Sequence, residues 1–221
     1  MILTENKFDL ESLAGTSLEE IEKIAIPPFS EIVLDFLAHL STELLNYPDV
    51  KNFPDIVAFA YWCRKSNLAR LWRDFNHEHK RLGRGFALHI APSNVPVNFA
   101  FSLAFGLLAG NVNVVRVSKT DRPQIRIICA AIKNLLALSE HKRIKALIAI
   151  ISYPRQSELT KVLSSYADAR MIWGGDDTVG NIRLMPSKPR CVDICFADRY
   201  SLCILGAEAI LNSSSDNFQK L

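Results

Sequence analysis

The spacing of apolar and polar positions changes several times along this chain, and each change marks an element. Residues 86–90 (FALHI), 112–117 (VNVVRV) and 146–151 (ALIAII) are runs of mostly apolar, often β-branched residues. Such near-continuous apolarity is expected of parallel strands buried on both faces. Residues 170–173, 192–196 and 201–205 are shorter strand candidates. Between these runs the period lengthens. Residues 95–109 are almost wholly apolar, interrupted by Pro96, Asn98, Ser102 and Gly106, and read as a buried helix. Ile125, Ile128, Ile132, Leu135 and Leu136 repeat at helical spacing between Asp121-Arg122-Pro123 and Ser139. Pro154 is expected to open a helix through Leu159 and Leu163, Thr178 a brief one ending before Pro186, and Ala207 another.

Ahead of the first strand the pattern is helical. One short helix is expected between Leu10 and Ile26, stopped by Pro27-Pro28. Ser30 reads as an N-cap, after which Ile32, Phe36, Leu40 and Leu44 form one stripe of a helix lasting to Tyr47. Two more helices are expected at 54–65 and 68–79. Residues 1–80 are therefore expected to form a helical region packed on an α/β nucleotide-binding domain at 81–221. In that domain, strand–helix alternation predicts a doubly wound, mostly parallel, Rossmann-like sheet. The strands at 86–90, 112–117, 146–151 and 170–173 should be parallel neighbours with helices on both faces.

Composition narrows the class. The 221 residues are 49% hydrophobic and 22% charged, with a net charge of +3. That charge is too small and too scattered to argue for nucleic acid; Arg64-Lys65 and His141-Lys142-Arg143 read as solvated helix ends. No leader peptide is read at the start, and the longest apolar run falls short of the ~20 residues that span a bilayer. Five cysteines without framework spacing suggest reduced, mostly buried thiols of a cytoplasmic protein, with Cys191, Cys195 and Cys203 in or beside apolar strand candidates.

Candidate chemistry gathers at strand ends. Ala91-Pro92-Ser93-Asn94 follows the first strand, where open α/β sheets bind ligands. Asn94, held extended between Pro92 and Pro96, is either an oxyanion donor or an ordinary turn residue. Arg116-Val117-Ser118-Lys119 ends the second strand without a carboxylate. It reads either as a 2′-phosphate site or as solvated charge. Gly174-Gly175-Asp176-Asp177-Thr178 is either a phosphate-cradling turn or a tight strand–helix turn with Asp177 as N-cap. The GxGxxG fingerprint is missing. His89 reads as a satisfied core histidine. No metal site is expected: His77-x-His79 lacks a third ligand nearby, and Cys191-x3-Cys195 does not match zinc spacing.

Taken together, these stretches resemble the aldehyde dehydrogenase superfamily, most closely its acyl-CoA reductase branch, which includes the fatty-acid reductase of bacterial bioluminescence. The matching segments are 53–71, 89–119 (HIAPSNVPVNFAFSLAFGLLAGNVNVVRVSK), 172–183 (IWGGDDTVGNIR) and 192–205. The resemblance implies the cofactor domain of that superfamily and NADPH-dependent reduction of an acyl-CoA or acyl-protein to an aldehyde through a cysteine thioester. It implies that Ala91, Pro92 and Ser93 line the nicotinamide ribose and that Asn94 serves the oxyanion. Arg116, with Ser118 and Lys119, would meet the adenosine ribose, and Gly174, Gly175, Thr178 and Gly180 the pyrophosphate turn. Asp176 and Asp177 replace the serine and threonine of the family's G-S-T-x-x-G turn. The nucleophilic cysteine and the partner glutamate have no counterpart, so the chain is expected to be a cofactor-binding half lacking the catalytic domain. A homo-oligomer or acyl-transfer partner enzymes would suit the family. A non-catalytic nucleotide-binding fragment and an NAD-dependent aldehyde dehydrogenase remain alternatives.

Overall fold

The computed structural model describes residues 8–22, 24–75, 78–119, 122–198, 202 and 206–208. The near-continuous apolar runs become the interior of the sheet. Strands β1 (Glu11–Gly15), β2 (Phe86–Ile90), β3 (Val112–Val117), β4 (Ile148–Ser152), β5 (Ala169–Trp173) and β6 (Val192–Phe196) lie in the order β1-β4-β3-β2-β5-β6. From β4 to β6 every pairing is parallel. Side chains alternate between faces along a strand, so the burial of all five β4 residues means that both faces are covered.

The expectation of a helix between Leu10 and Ile26 is corrected: residues 16–22 and 24–26 run as loop and turn, with no helix among them. Residues 11–15 form β1, antiparallel to β4, with a register shift between Ser12 and Ala14. Gly15 permits this pairing: its φ is +99°, and a Cβ there would overlap the Ile148 carbonyl. β1 therefore covers the β4 edge and becomes the short, partly exposed edge strand of the sheet.

The helices are α1 (Glu31–Leu45), α2 (Pro54–Trp62), α3 (Lys65–Asp74), α4 (Asn98–Leu108), α5 (Pro123–Leu136), α6 (Lys142–Lys145), α7 (Leu159–Tyr166) and α8 (Asp176–Arg183). Pro54 and Pro123 open α2 and α5 as first-turn prolines, where no backbone donor is lost. Ser30 takes the N-cap position of α1, but its hydroxyl makes no capping bond. α1 carries the helical region onto the sheet by packing on α2, α3, α4, α5 and α6. Its buried stripe is Val33, Phe36, Leu37, Leu40 and Leu44. Each such side chain contributes roughly 1.5–3 kcal/mol of burial.

Several boundaries differ from expectation. α3 begins at Lys65, three residues before the expected start, and ends by Asp74 rather than near residue 79. α7 begins at Leu159, because residues 154–157 form a turn closed by the Ser157 amide on the Pro154 carbonyl at 3.0 Å. β4 starts at Ile148, since Ala146 caps α6. His141, expected at a solvated helix end, is 3% exposed and meets the Phe36 ring edge-on. Apart from Leu202, the strand candidate at 201–205 lies outside the described residues; so do His77, Cys203 and most of the last helix.

At the other side of the sheet, Arg170 is almost fully buried and ties three elements together. Its Nε and Nη2 donate to the two Asp193 oxygens at 2.6 and 2.7 Å, and Nη1 donates to the Ile182 carbonyl at 3.0 Å. A bidentate pair whose remaining donor is also satisfied fixes orientation as well as energy. β5, β6 and the end of α8 are thereby set in register.

Candidate functional site

β2, β3 and β4 advance in one direction across the sheet, whereas β5 returns to the other side of β2. The chain reverses between β2 and β5, which is where an open α/β sheet leaves a crevice beyond its strand ends. A cavity of about 960 Å³ lies there. Its walls come from the ends of β2 (Ile90 to Val95), β3 (Arg116, Ser118), β5 (Trp173, Gly174, Gly175) and β6 (Phe196 to Asp198), with Asn98, Arg155 and Thr178.

Of the residues singled out from sequence, Ala91, Pro92, Ser93, Asn94, Arg116, Ser118, Gly174, Gly175 and Thr178 all line this cavity. Two do not. Lys119 is drawn away by Asp9, with Nζ 2.8 Å from Oδ2. Gly180 faces outward from α8, with nothing within 4 Å of a Cβ placed on it. Ser93 and Asn94 are exposed on the rim.

Arg116 is half-buried beneath this wall. Its Nη2 donates to the Tyr153 carbonyl at 3.3 Å, its guanidinium carbon lies 5.4 Å from the Tyr153 ring centre, and its buried Nε–H has no hydrogen-bond partner. Burial lowers its affinity for the proton, Tyr153 opposes this, and neighbouring Arg155 adds to it. Two guanidiniums thus act on one region of the cavity. The exposed Arg155 donates to Thr178 Oγ1 at 2.8 Å.

The Gly174-Gly175 turn is organised differently from either sequence reading. Gly175, not Asp177, is the N-cap, and α8 starts at Asp176 rather than Thr178. Asp198 Oδ2 accepts the Asp176 amide at 3.3 Å, so a carboxylate of the chain itself sits at this helix N-terminus. Asp176 and Asp177 occupy the first turn. Three carboxylates there disfavour a further anion, whereas the Arg116–Arg155 wall favours one.

A directional chain of hydrogen bonds holds α4 beneath the cavity. Asn113 Nδ2 donates to the Asn111 carbonyl at 2.7 Å, which leaves Oδ1 as acceptor. His89 Nε2–H therefore donates to Asn113 Oδ1 at 3.0 Å, and in the neutral imidazole Nδ1 accepts from Ser102 at 2.7 Å. Trp173 Nε1–H donates to the same Ser102 oxygen at 3.3 Å. Burial pushes the His89 imidazole down to about 4, the Asn113 bond opposing, so it is neutral near pH 7. His89 is thus the satisfied core histidine expected. Its network reaches Trp173, whose ring stacks on Phe196 with centroids 3.7 Å apart.

Sequence reasoning missed Arg155, Trp173, Phe196 and Asp198 as cavity residues. For Trp173 and Phe196, their places as last residues of strands were a usable signal. For Arg155 the only clue was its position shortly after a strand.

No described cysteine lines the cavity. Cys63 and Cys129 are buried, and burial raises both thiols, Cys129 to about 12. The expected burial of Cys191 and Cys195 is corrected: Cys195 is exposed and Cys191 half-buried, because β6 is the outer strand among the described residues. Burial raises the Cys191 thiol as well.

A family model described as acyl-CoA reductase (LuxC) matches residues 63–220. The long-chain acyl-protein thioester reductase of Photorhabdus laumondii is 25% identical over 143 residues, covering 62% of this chain and 28% of that protein. That of Vibrio harveyi is 25% identical over 135 residues, covering 60% and 27%. The chain thus spans about a quarter of the length of the curated relatives it matches. Among solved structures, an NAD-dependent benzaldehyde dehydrogenase from Corynebacterium glutamicum superposes with a TM-score of 0.53 at 15% identity, over 75% of this chain and 41% of that one. Bradyrhizobium japonicum proline utilization A gives 0.59 at 15% identity, over 76% and 20%. These likenesses establish the doubly wound, Rossmann-like fold of aldehyde dehydrogenases.

Proposed function

The chain belongs to the acyl-CoA reductase (LuxC) family, and from that premise we propose that it supplies the cofactor-binding half of an NADPH-dependent reductase. The enzyme converts an acyl-CoA or acyl-protein thioester to an aldehyde by way of a cysteine thioester. The relatives are named long-chain acyl-protein thioester reductases, which supports an acyl substrate. The acyl-accepting thiol lies outside the described residues.

The observation that carries the cofactor assignment is Arg116. It closes β3 where no carboxylate stands, it lines the cavity, and its buried Nε–H is left without a partner. A phosphate monoester offers that cation a charge-assisted bond, whereas a ribose hydroxyl does not. Arg155 adds a second cation, so the donor set fits an anionic dinucleotide on this wall. The Asp198 carboxylate turns phosphate away from the α8 N-terminus toward the arginines.

When bound, NADPH supplies the hydride. The chain's own residues bind and orient: Arg116 and Arg155 hold negative charge, Ala91, Pro92 and Ser93 line the ribose side, and Trp173 with Phe196 forms an apolar wall. Asn94, exposed on the rim, donates its amide to the oxygen that gains charge in the acyl group.

The test is titration of the chain with NADPH and NADH, before and after Arg116→Ala. A charge-assisted bond worth about 1.5–3 kcal/mol corresponds to roughly 10- to 150-fold in affinity. NADPH should bind tighter by a factor in that range, and the substitution should remove most of the difference by weakening NADPH far more than NADH. Equal affinities in the unmutated chain would overturn the assignment.

A further inference from the structure

A second group of side chains lies before β4, away from the cavity beyond the strand ends. His39 sits mid-way along α1, and Glu140 and His141 lie in the 3₁₀ turn that precedes α6. His39 Nδ1 is 3.1 Å from His141 Nε2 and 3.4 Å from Glu140 Oε1, and His141 Nε2 is 3.5 Å from the same Glu140 oxygen. Three donor atoms from two segments therefore form a nearly equilateral triangle.

Its size is informative. Zinc bonds to nitrogen and oxygen of about 2.0–2.2 Å give a tetrahedron with edges of roughly 3.3–3.6 Å. An octahedral Mg2+ site with bonds of about 2.0–2.1 Å has shorter edges, near 3.0 Å. Edges of 3.1, 3.4 and 3.5 Å come closer to one face of the tetrahedron. Two imidazoles and one carboxylate also favour zinc-like ions over magnesium. His39 and Glu140 are half-exposed, so a fourth vertex can open to solvent, while His141 is anchored in the core. The Asp35 carboxylate, one turn before His39 on α1, adds negative charge acting on His141.

We propose that His39, Glu140 and His141 form a three-ligand site for a tetrahedral divalent cation of the zinc class. The ion bridges α1 to the turn that feeds β4, joining residues 102 positions apart. Each ligand binds through a lone pair: His39 Nδ1 and His141 Nε2 carry no proton, and Glu140 is ionised. The close His39–His141 contact then becomes two metal bonds. The ion would tie the helical region to the sheet away from the cavity, with a fourth position left to solvent.

Cobalt is the probe, because the visible bands of four-coordinate Co2+ are many times stronger than those of six-coordinate Co2+. The full chain, stripped with chelator, is titrated with Co2+, then with competing Zn2+ or Mg2+, alongside His39→Ala and Glu140→Gln. Both substitutions fall on half-exposed side chains, and circular dichroism checks that each variant is folded. One equivalent of strong cobalt bands is expected, displaced by Zn2+ and not by Mg2+, lost in His39→Ala and weakened at least tenfold in Glu140→Gln. At free metal 100-fold above Kd the unfolding midpoint should rise by about 5–10 °C in the unmutated chain and not in His39→Ala. Weak six-coordinate bands, absence of saturable binding, or an unchanged spectrum in His39→Ala would overturn the proposal.

Discussion

Gly106 tests the hydrogen-bond chain under the cavity more sharply than any of its polar members. The residue lies within α4, where alanine would ordinarily gain about 1 kcal/mol of helix propensity over glycine. Here a Cβ would overlap Asn113 Oδ1 and lie 2.9 Å from His89 Cε1. Asn113 is fully buried and cannot swing away without breaking its bonds to His89 and to the Asn111 carbonyl. Each buried polar group left unpaired costs about 1–3 kcal/mol. Two such losses, set against the propensity gain, leave Gly106→Ala destabilised by about 1–5 kcal/mol, a large share of the ~5–15 kcal/mol typical of a fold. Gly180→Ala is the control: it is also helical, but its Cβ meets nothing within 4 Å. That variant should gain up to about 1 kcal/mol. Urea unfolding reads both through the midpoint at constant m. If Gly106→Ala matches the unmutated stability, the packing of α4 on Asn113 does not constrain position 106.

Further outcomes follow from the same groups. His89 is held at about 4 in the fold against an ordinary 6.5, so the unfolded chain takes up its proton first as the pH falls. Stability from this site is full above about pH 6.5 and drains between 6.5 and 4, by about 2 kcal/mol from pH 7 to pH 5. Urea midpoints at the two pH values should differ less in His89→Gln, and identical slopes would contradict the buried neutral imidazole. With a thiol reagent and peptide mapping, Cys195 should label in the native chain, while Cys63 and Cys129 label only on unfolding. Native labelling of Cys63 at the Cys195 rate would refute that ordering.

The sheet interior was legible because parallel strands covered on both faces must be apolar along their whole length. For that reason 86–90 and 112–117 could be bounded to the residue, whereas 192–196 matched although its strand is exposed and carries Asp193. β1 was not legible: Glu-Ser-Leu-Ala-Gly carries no β-branched residue, and its pairing depends on β4, far along the chain. The cavity was legible wherever a strand end delivers its residues directly, as at Ala91 to Asn94 and at Arg116. Lys119 departed from expectation through Asp9, a partner no local pattern links to it. The three-ligand cluster was hidden for the same reason, since a sequence scan favours histidines close together and His39 and His141 are 102 residues apart.

The position of β1 also sets an order of events during synthesis. Glu11 pairs with Ser152, so 141 residues separate the emergence of the two partners. At the roughly 5–20 residues per second of translation, the first strand waits about 7–30 s for its template. In that interval β2 and β3, adjacent in sequence and joined through α4, can already pair. β4 then adds beside β3, and β1 can cover that edge only after β4 has emerged, although β1 is made before either. Brevity and a charged Glu11 suit a segment that must spend those seconds unpaired without recruiting another chain.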